Sequence, residues 1–168
     1  MLMQTPRLAI RHLGPGDEPF ILELLNDPAF LRNIGDRNVR NLEDAAAYIA
    51  NGPAASYEKH GFGLFHVGLK DSDLSIGICG LLKRESLPDV DIGFAYLERY
   101  RGRGYALEAA QAVMNFGWNV VGLTRIIAIT APNNEASMRL LGKLGMTLEG
   151  VIQFPGAGDA NLFGISAS

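Results

Sequence analysis

At 168 residues, 48% hydrophobic and 20% charged, the chain is long enough to bury one sizeable core and is expected to fold as a single domain over residues 1–168. A net charge of -3 gives no general attraction to nucleic acid or to an acidic membrane, and the single cysteine, Cys79, rules out an internal disulfide and supplies no metal cluster. The opening MLMQTPRLAIRHL has charges and a proline where a signal peptide needs an apolar run, and no stretch approaches membrane-spanning length. We therefore expect a soluble protein of the reducing cytoplasm, monomeric or homodimeric and without a metal.

In chain order, Leu8, Ile10 and His12 alternate with Arg7, Ala9 and Arg11, which predicts an opening strand with one buried face, stopped by Gly14-Pro15-Gly16. Asp17 can cap a helix whose apolar positions are Phe20, Ile21, Leu24 and Leu25, ending near Asn26-Asp27-Pro28, with a loop through Asn33, Gly35 and Asp36 after it. A second helical pattern runs from Asn41 to about Tyr57, interrupted at Gly52-Pro53. From Gly61 the texture is β-like. GFGLFHVGL and LSIGICGLLKR form a predicted antiparallel hairpin around Asp71-Ser72-Asp73. In the next strand Val90, Ile92, Phe94 and Tyr96 share one face, while Asp91, Gly93, Ala95 and Leu97 share the other. That second face is nearly bare, leaving room for a ligand or for a close-packed helix.

Arg101-Gly102-Arg103-Gly104-Tyr105-Ala106 then leads into a helix with Ala106, Ala109, Ala110, Val113, Phe116 and Val120 on one stripe, ending around Gly122. Arg125 to Thr130 reads as a buried strand closed by Pro132. Asn133 to Ser137 opens a helix with Leu140, Leu141 and Leu144 inward and Gly145 as its stop. Leu148 to Phe154 pairs with Asn161 to Ile165 across PGAGDA as a terminal hairpin. The order of elements implies a mixed α/β sheet flanked by helices.

The turn at 101–106 brings backbone N–H groups to a helix start, where free amides and the dipole favour an anion, and its two arginines add charge. A dinucleotide fingerprint fails, because the third glycine position is Leu107 and no ribose-binding acid follows the strand ending at Thr130. A P-loop fails as well, lacking G-x-x-x-x-G-K-[ST] and a magnesium-binding acid.

The same six residues match the R-x-x-G-x-A signature of the GNAT superfamily of acetyl-CoA-dependent N-acetyltransferases. Asp91-Ile92-Gly93-Phe94 resembles its acidic strand start, and Asn134-Glu135-Ala136-Ser137 with Lys143-Leu144-Gly145-Met146 resembles its N-x-A-S…K-L-G-F segment. Thr5-Pro6-Arg7-Leu8 and Gly80-Leu81-Leu82-Lys83-Arg84 resemble the branch that includes the ribosomal-protein N-terminal acetyltransferases. The resemblance spans nearly the whole chain. It implies a GNAT-like fold with a mostly antiparallel sheet and one splayed strand pair, acetyl-CoA as co-substrate, and a primary amine as acceptor: a protein N-terminus or a small molecule.

Residue by residue, the resemblance implies that Arg101, Gly102, Arg103, Gly104, Tyr105 and Ala106 hold the pyrophosphate. The pantetheine then runs along Phe94 and Tyr96, and an oxyanion-binding amide is expected within Ala95 to Leu97. Asn134 contacts the pantetheine or caps its helix. The amine must lose a proton, since an α-amine has a pKa of about 8 and a lysine one of about 10.4. Asp91 is the first candidate for the base and Glu85 the second; the alternative for Asp91 is a strand-end aspartate paired to an arginine. The tyrosine that many relatives place after the Asn/Ser segment is absent from Met138-Arg139-Leu140-Leu141-Gly142. Ser137 can serve as proton donor, or as an ordinary first-turn residue bonding the cofactor or backbone. A coenzyme A-binding protein without turnover is the competing expectation. The resemblance places the acceptor surface at Glu18 to His60 and the last hairpin, where Glu23, Asp27, Asp36, Glu43 and Asp44 can attract a cationic peptide or a polyamine, or can equally be solvated helix charges.

Overall fold

The computed structural model describes residues 2–72 and 74–168; of the expected turn at Asp71-Ser72-Asp73, the last residue lies outside the described residues. The chain opens with β1 (Met3–Gln4) and β2 (Leu8–Arg11), where Leu8 and Ile10 are fully buried as the alternation requires. Asp17 precedes α1 (Glu18–Leu25) but does not cap it with its side chain. Its carboxylate is held instead by both terminal nitrogens of Arg11, at 2.8 and 2.9 Å, and by the Gly14 N–H.

Where a loop is expected, a short helix α2 (Pro28–Asn33) forms, because Asp27 accepts the Ala29 N–H at 2.9 Å and Pro28 sits in the first turn. With Phe30 as its one buried residue it has no readable periodicity. Asn41 caps α3 (Leu42–Ile49) through the Asp44 N–H. The chain does not break at Pro53. A π-helical turn, Ala50–Ala54, absorbs the proline, and the helix continues as α4 (Ala55–His60) to its stop at Gly61.

The remaining strands are β3 (Leu64–Leu69), β4 (Ser75–Leu82), β5 (Asp91–Tyr96), β6 (Arg125–Thr130), β7 (Thr147–Phe154) and β8 (Gly158–Ser166). Helix α5 (Tyr105–Phe116) precedes β6, and α6 (Glu135–Lys143) follows it. Among the described residues, eight strands form one sheet in the order β1-β2-β3-β4-β5-β6-β8-β7. Every neighbouring pair is antiparallel except β5 and β6, which are parallel and in register only at Asp91 and Ile127.

The two faces of β5 divide as expected. Ile92, Phe94 and Tyr96 pack into a core with α5, including Phe65, Val113 and Ile126. Ala95 and Leu97 join a second core with Leu24 of α1 and Ile49 of α3. One expectation fails on α5. Val120, expected on the buried stripe, is 71% exposed, because the helix ends in a π turn, Gly117–Val121, that puts the stripe out of phase, and Met114 is buried in the core. No helix among the described residues is long and apolar enough to cross a membrane.

Candidate active site

The splayed pair β5 and β6 is where the site begins. Val90 carbonyl accepts the Ile127 N–H at 3.0 Å, and beyond that point the strands separate. Leu97 N–H donates to Ile76 carbonyl on β4 at 3.0 Å, so strand alternation turns the backbone groups of Ile92, Phe94 and Tyr96 toward the opening left by β6. Past the Asp91–Ile127 register, the N–H and carbonyl of Phe94 and the N–H of Tyr96 have no strand partner and can receive an extended ligand as if it were a strand.

After β5, one 3₁₀ turn, Glu98–Tyr100, delivers the chain to the glycine-rich turn. Gly102 and Gly104 have φ of +75° and +83°, a left-handed winding that side chains resist. The first bond closing α5 runs from Glu108 N–H to Gly104 carbonyl at 3.1 Å, so the amides ahead of it have no helical acceptor. They face a cleft of about 960 Å³ that also borders β5 from Asp91 to Tyr96 and the start of α6.

Most of the residues singled out in the sequence line this cleft: Asp91, Phe94, Ala95, Tyr96, Arg101, Gly102, Gly104, Tyr105, Ala106, Asn134 and Ser137. Leu97 does not. It is 2% exposed in the second core, and its N–H is already bonded. Arg103 and Glu85 also lie outside the lining; both are exposed, and Arg103 offers its carbonyl to Arg7 at 2.9 Å. Arg101 borders the cleft with its charge turned away, donating through Nε and Nη2 to Tyr96 carbonyl at 3.1 and 2.6 Å and through Nη2 to Asp27 at 3.0 Å. Cationic side chains on the α6 side come from Arg139 and Lys143.

A contact that sequence reasoning did not reach holds the turn in place. Arg7 Nε and backbone N–H donate to Glu108, at 2.7 and 3.0 Å, and the Thr5 hydroxyl donates to the same carboxylate. The Arg7 guanidinium also stacks 4.5 Å from the Tyr105 ring centroid. Glu108→Ala removes the acceptor for three donors, and we expect a loss of about 2 kcal/mol in chemical denaturation, since hydrogen bonds to a charged group contribute about that much. Unchanged stability would show the clamp to be idle.

Asp91 stands at the apex of the splay, 1% exposed, with Arg84 Nε 3.2 Å from its Oδ1. Burial raises its pKa, Arg84 pulls it back, and the balance is a value of about 6. Both readings of this residue therefore hold geometrically, an aspartate paired to arginine and a carboxylate on the cleft wall. Asn134 caps α6, accepting the Ser137 N–H at 3.3 Å, while the Ser137 side chain borders the cleft. Of the tyrosines on the cleft wall, Tyr96 has its hydroxyl in the core beside Cys79, where burial raises the pKa of both groups. The thiol is thus an inert core group. The other side of the cleft uses Phe30, Arg37, Tyr48 and Phe154, which no motif flagged, together with Arg84, the last residue of the Gly80–Arg84 run.

The cleft thus brings together a parallel strand pair open beyond a single register, a glycine-wound helix start beside it and a buried carboxylate at its apex. The chain belongs to the GNAT acetyltransferase family, whose acetyltransferase domain model matches residues 7–147. Among its relatives is the uncharacterized N-acetyltransferase YnaD of Bacillus subtilis, 34% identical over 150 residues, covering 89% of this chain and 85% of the relative. A GNAT-family acetyltransferase structure from Bacillus anthracis aligns with a TM-score of 0.82 at 28% identity, covering 99% of this chain and 98% of that one. The ribosomal L7/L12 α-N-protein acetyltransferase RimL in complex with coenzyme A shares the fold, with a TM-score of 0.83 at 17% identity over 96% of this chain and 95% of that one.

Proposed function

We propose that this chain transfers the acetyl group of acetyl-CoA to a primary amine by direct attack, with the division of labour carried by one observation: the buried Asp91 and the anion-accepting turn lie at opposite ends of the same open strand edge. The donor set suits coenzyme A. Orphan amides at 102–107 and the α5 dipole suit its diphosphate, and the open-edge N–H and carbonyl of Phe94 suit its pantetheine amides. Asn134 uses its oxygen on the cap, so its amide NH₂ is the group left to contact ligand. The co-substrate supplies an acetyl group activated as a thioester.

Asp91 accepts the proton of the attacking amine, directly or through water, as the nitrogen–carbon bond forms and the carbon–sulfur bond breaks. The Tyr96 N–H on the open edge is placed to stabilise negative charge developing on the carbonyl oxygen. Ser137 donates a hydrogen bond to the departing thiolate, whose pKa of about 8.5 makes such modest help sufficient. Arg101 acts as a strut, joining the end of β5 to the start of α2 through Asp27.

The absence of a tyrosine on α6 favours a second reading, a coenzyme A-binding protein without turnover. Incubation with acetyl-CoA and a panel of amines and peptides, followed by free-thiol release, separates the two. We expect acceptor-dependent release. Coenzyme A binding without release on any acceptor would establish the second reading instead.

A further inference from the structure

The acceptor side of the cleft carries an excess of positive charge that no carboxylate engages. Arg84 uses its Nε on Asp91 at 3.2 Å, and its guanidinium lies 5.2 Å from the Phe154 ring centroid. Its two terminal nitrogens donate to no protein acceptor among the described residues. Arg32 and Arg37 line the same cleft and enter no ion pair among the described residues. The acid beside Arg37, Asp36, is held by Arg40 at 2.5 Å.

The acids that would draw a cationic acceptor are elsewhere. Glu23 is bound to Arg99 at 2.8 Å, Asp27 to Arg101 at 3.0 Å, and Asp44 to the Arg40 N–H at 3.0 Å. None of these, nor Asp36 or Glu43, lines the cleft. The carboxylates facing Arg84 in the cleft wall are Asp91, which it holds, and Asp159, which accepts from Gln153. A polyamine entering here would meet three guanidinium groups against one carboxylate, Asp159, that no arginine holds.

We propose that the acetyl acceptor carries a carboxylate close to its amine, and that Arg84 receives this carboxylate on its terminal nitrogens while the Asp91 bound to its Nε faces the amine. The inference rests on the acetyltransferase reading above. A guanidinium offers five donors in a fixed plane, so one edge can hold Asp91 while another binds a second carboxylate. Stacking on Phe154 fixes that plane. Arg32 and Arg37, exposed at the rim, raise the local concentration of anions and fall in effect as salt rises. The carboxylate can belong to a free amino acid or to an acidic residue beside a peptide N-terminus.

Calorimetric titration of the protein saturated with coenzyme A tests this, comparing alanine and β-alanine with their amides, tripeptide amides bearing Asp or Asn at the second residue, and spermidine. In at least one arm the acid is expected to bind at least about tenfold tighter than its uncharged partner, and the responsive arm identifies the source of the carboxylate. Arg84→Gln is expected to abolish the preference, Arg84→Lys to keep part of it, and Arg37→Gln to reduce it less. Acid and amide binding alike in both arms, an undiminished preference in Arg84→Gln, or spermidine binding tighter than every acid would overturn the proposal. Thiol release distinguishes the two readings: turnover of spermidine and amides but not of acids overturns the carboxylate site and leaves acetyl transfer standing. Acid-selective binding without thiol release does the reverse.

Discussion

Asp91→Asn is expected to lower kcat by about 10²–10⁴-fold, the usual contribution of a positioned general base, with the affinity for acetyl-CoA within about twofold of wild type. Asparagine keeps the shape beside Arg84 and cannot take the amine proton. The wild-type rate should fall on the acid side with an apparent pKa of about 6, because Asp91 acts as a base only when ionised and its pKa sits there. Arg84→Gln should move that limb to higher pH by removing the charge that holds the pKa down. The effect on stability has the opposite sign from a salt-bridge loss. A folded-state pKa raised from 3.8 to about 6 means that ionising Asp91 costs stability as pH rises through that range, in total roughly 3 kcal/mol. The asparagine variant should therefore unfold no more easily than wild type at pH 8. A variant that keeps its turnover, or that loses coenzyme A binding as well, would remove Asp91 from the role of base.

Gly104→Val is expected to weaken coenzyme A binding by at least about tenfold, or about 1.4 kcal/mol, with little change in the pH dependence of the turnover that remains. Two costs combine at this position. The backbone φ is +83°, where a side chain costs about 1–2 kcal/mol and a β-branched one more. A Cβ would also lie 3.2 Å from Arg7 Nη2, pressing on the clamp that holds the turn. Relaxing either cost rewinds the turn and misdirects the amides ahead of α5. Calorimetric titration with coenzyme A reads the effect directly. Unchanged affinity would mean that the turn is not the anion site.

What was legible in the chain was what local rules encode. The alternation along β5 placed Asp91, Gly93 and Ala95 on the bare face correctly, because a strand side chain's direction is fixed by its parity. Gly102 and Gly104 marked the left-handed turn, and Asn134 the cap, for equally local reasons. Leu97 was misplaced because its parity is right while its burial depends on α1 and α3, which lie far away in sequence. Arg101 borders the cleft as expected, but its bonds to Tyr96 carbonyl and Asp27 were not legible, because charge next to a glycine turn does not reveal which protein acceptors surround it. On the acceptor side only the contributing segments were legible, not the side chains that meet there. Its residues come from α2, α3, the end of β4 and the β7–β8 hairpin, and only the closed sheet brings them together.

The attachment of Thr5 and Arg7 to Glu108 joins groups 103 and 101 residues apart. While the chain is being made, the glycine turn can form its left-handed winding early, yet nothing can fasten it until α5 has left the ribosome and met β2. Loop closure over that distance is among the slower events a domain of this size undergoes. The clamp on the turn is thus a property of the completed sheet rather than of the glycine segment that it holds.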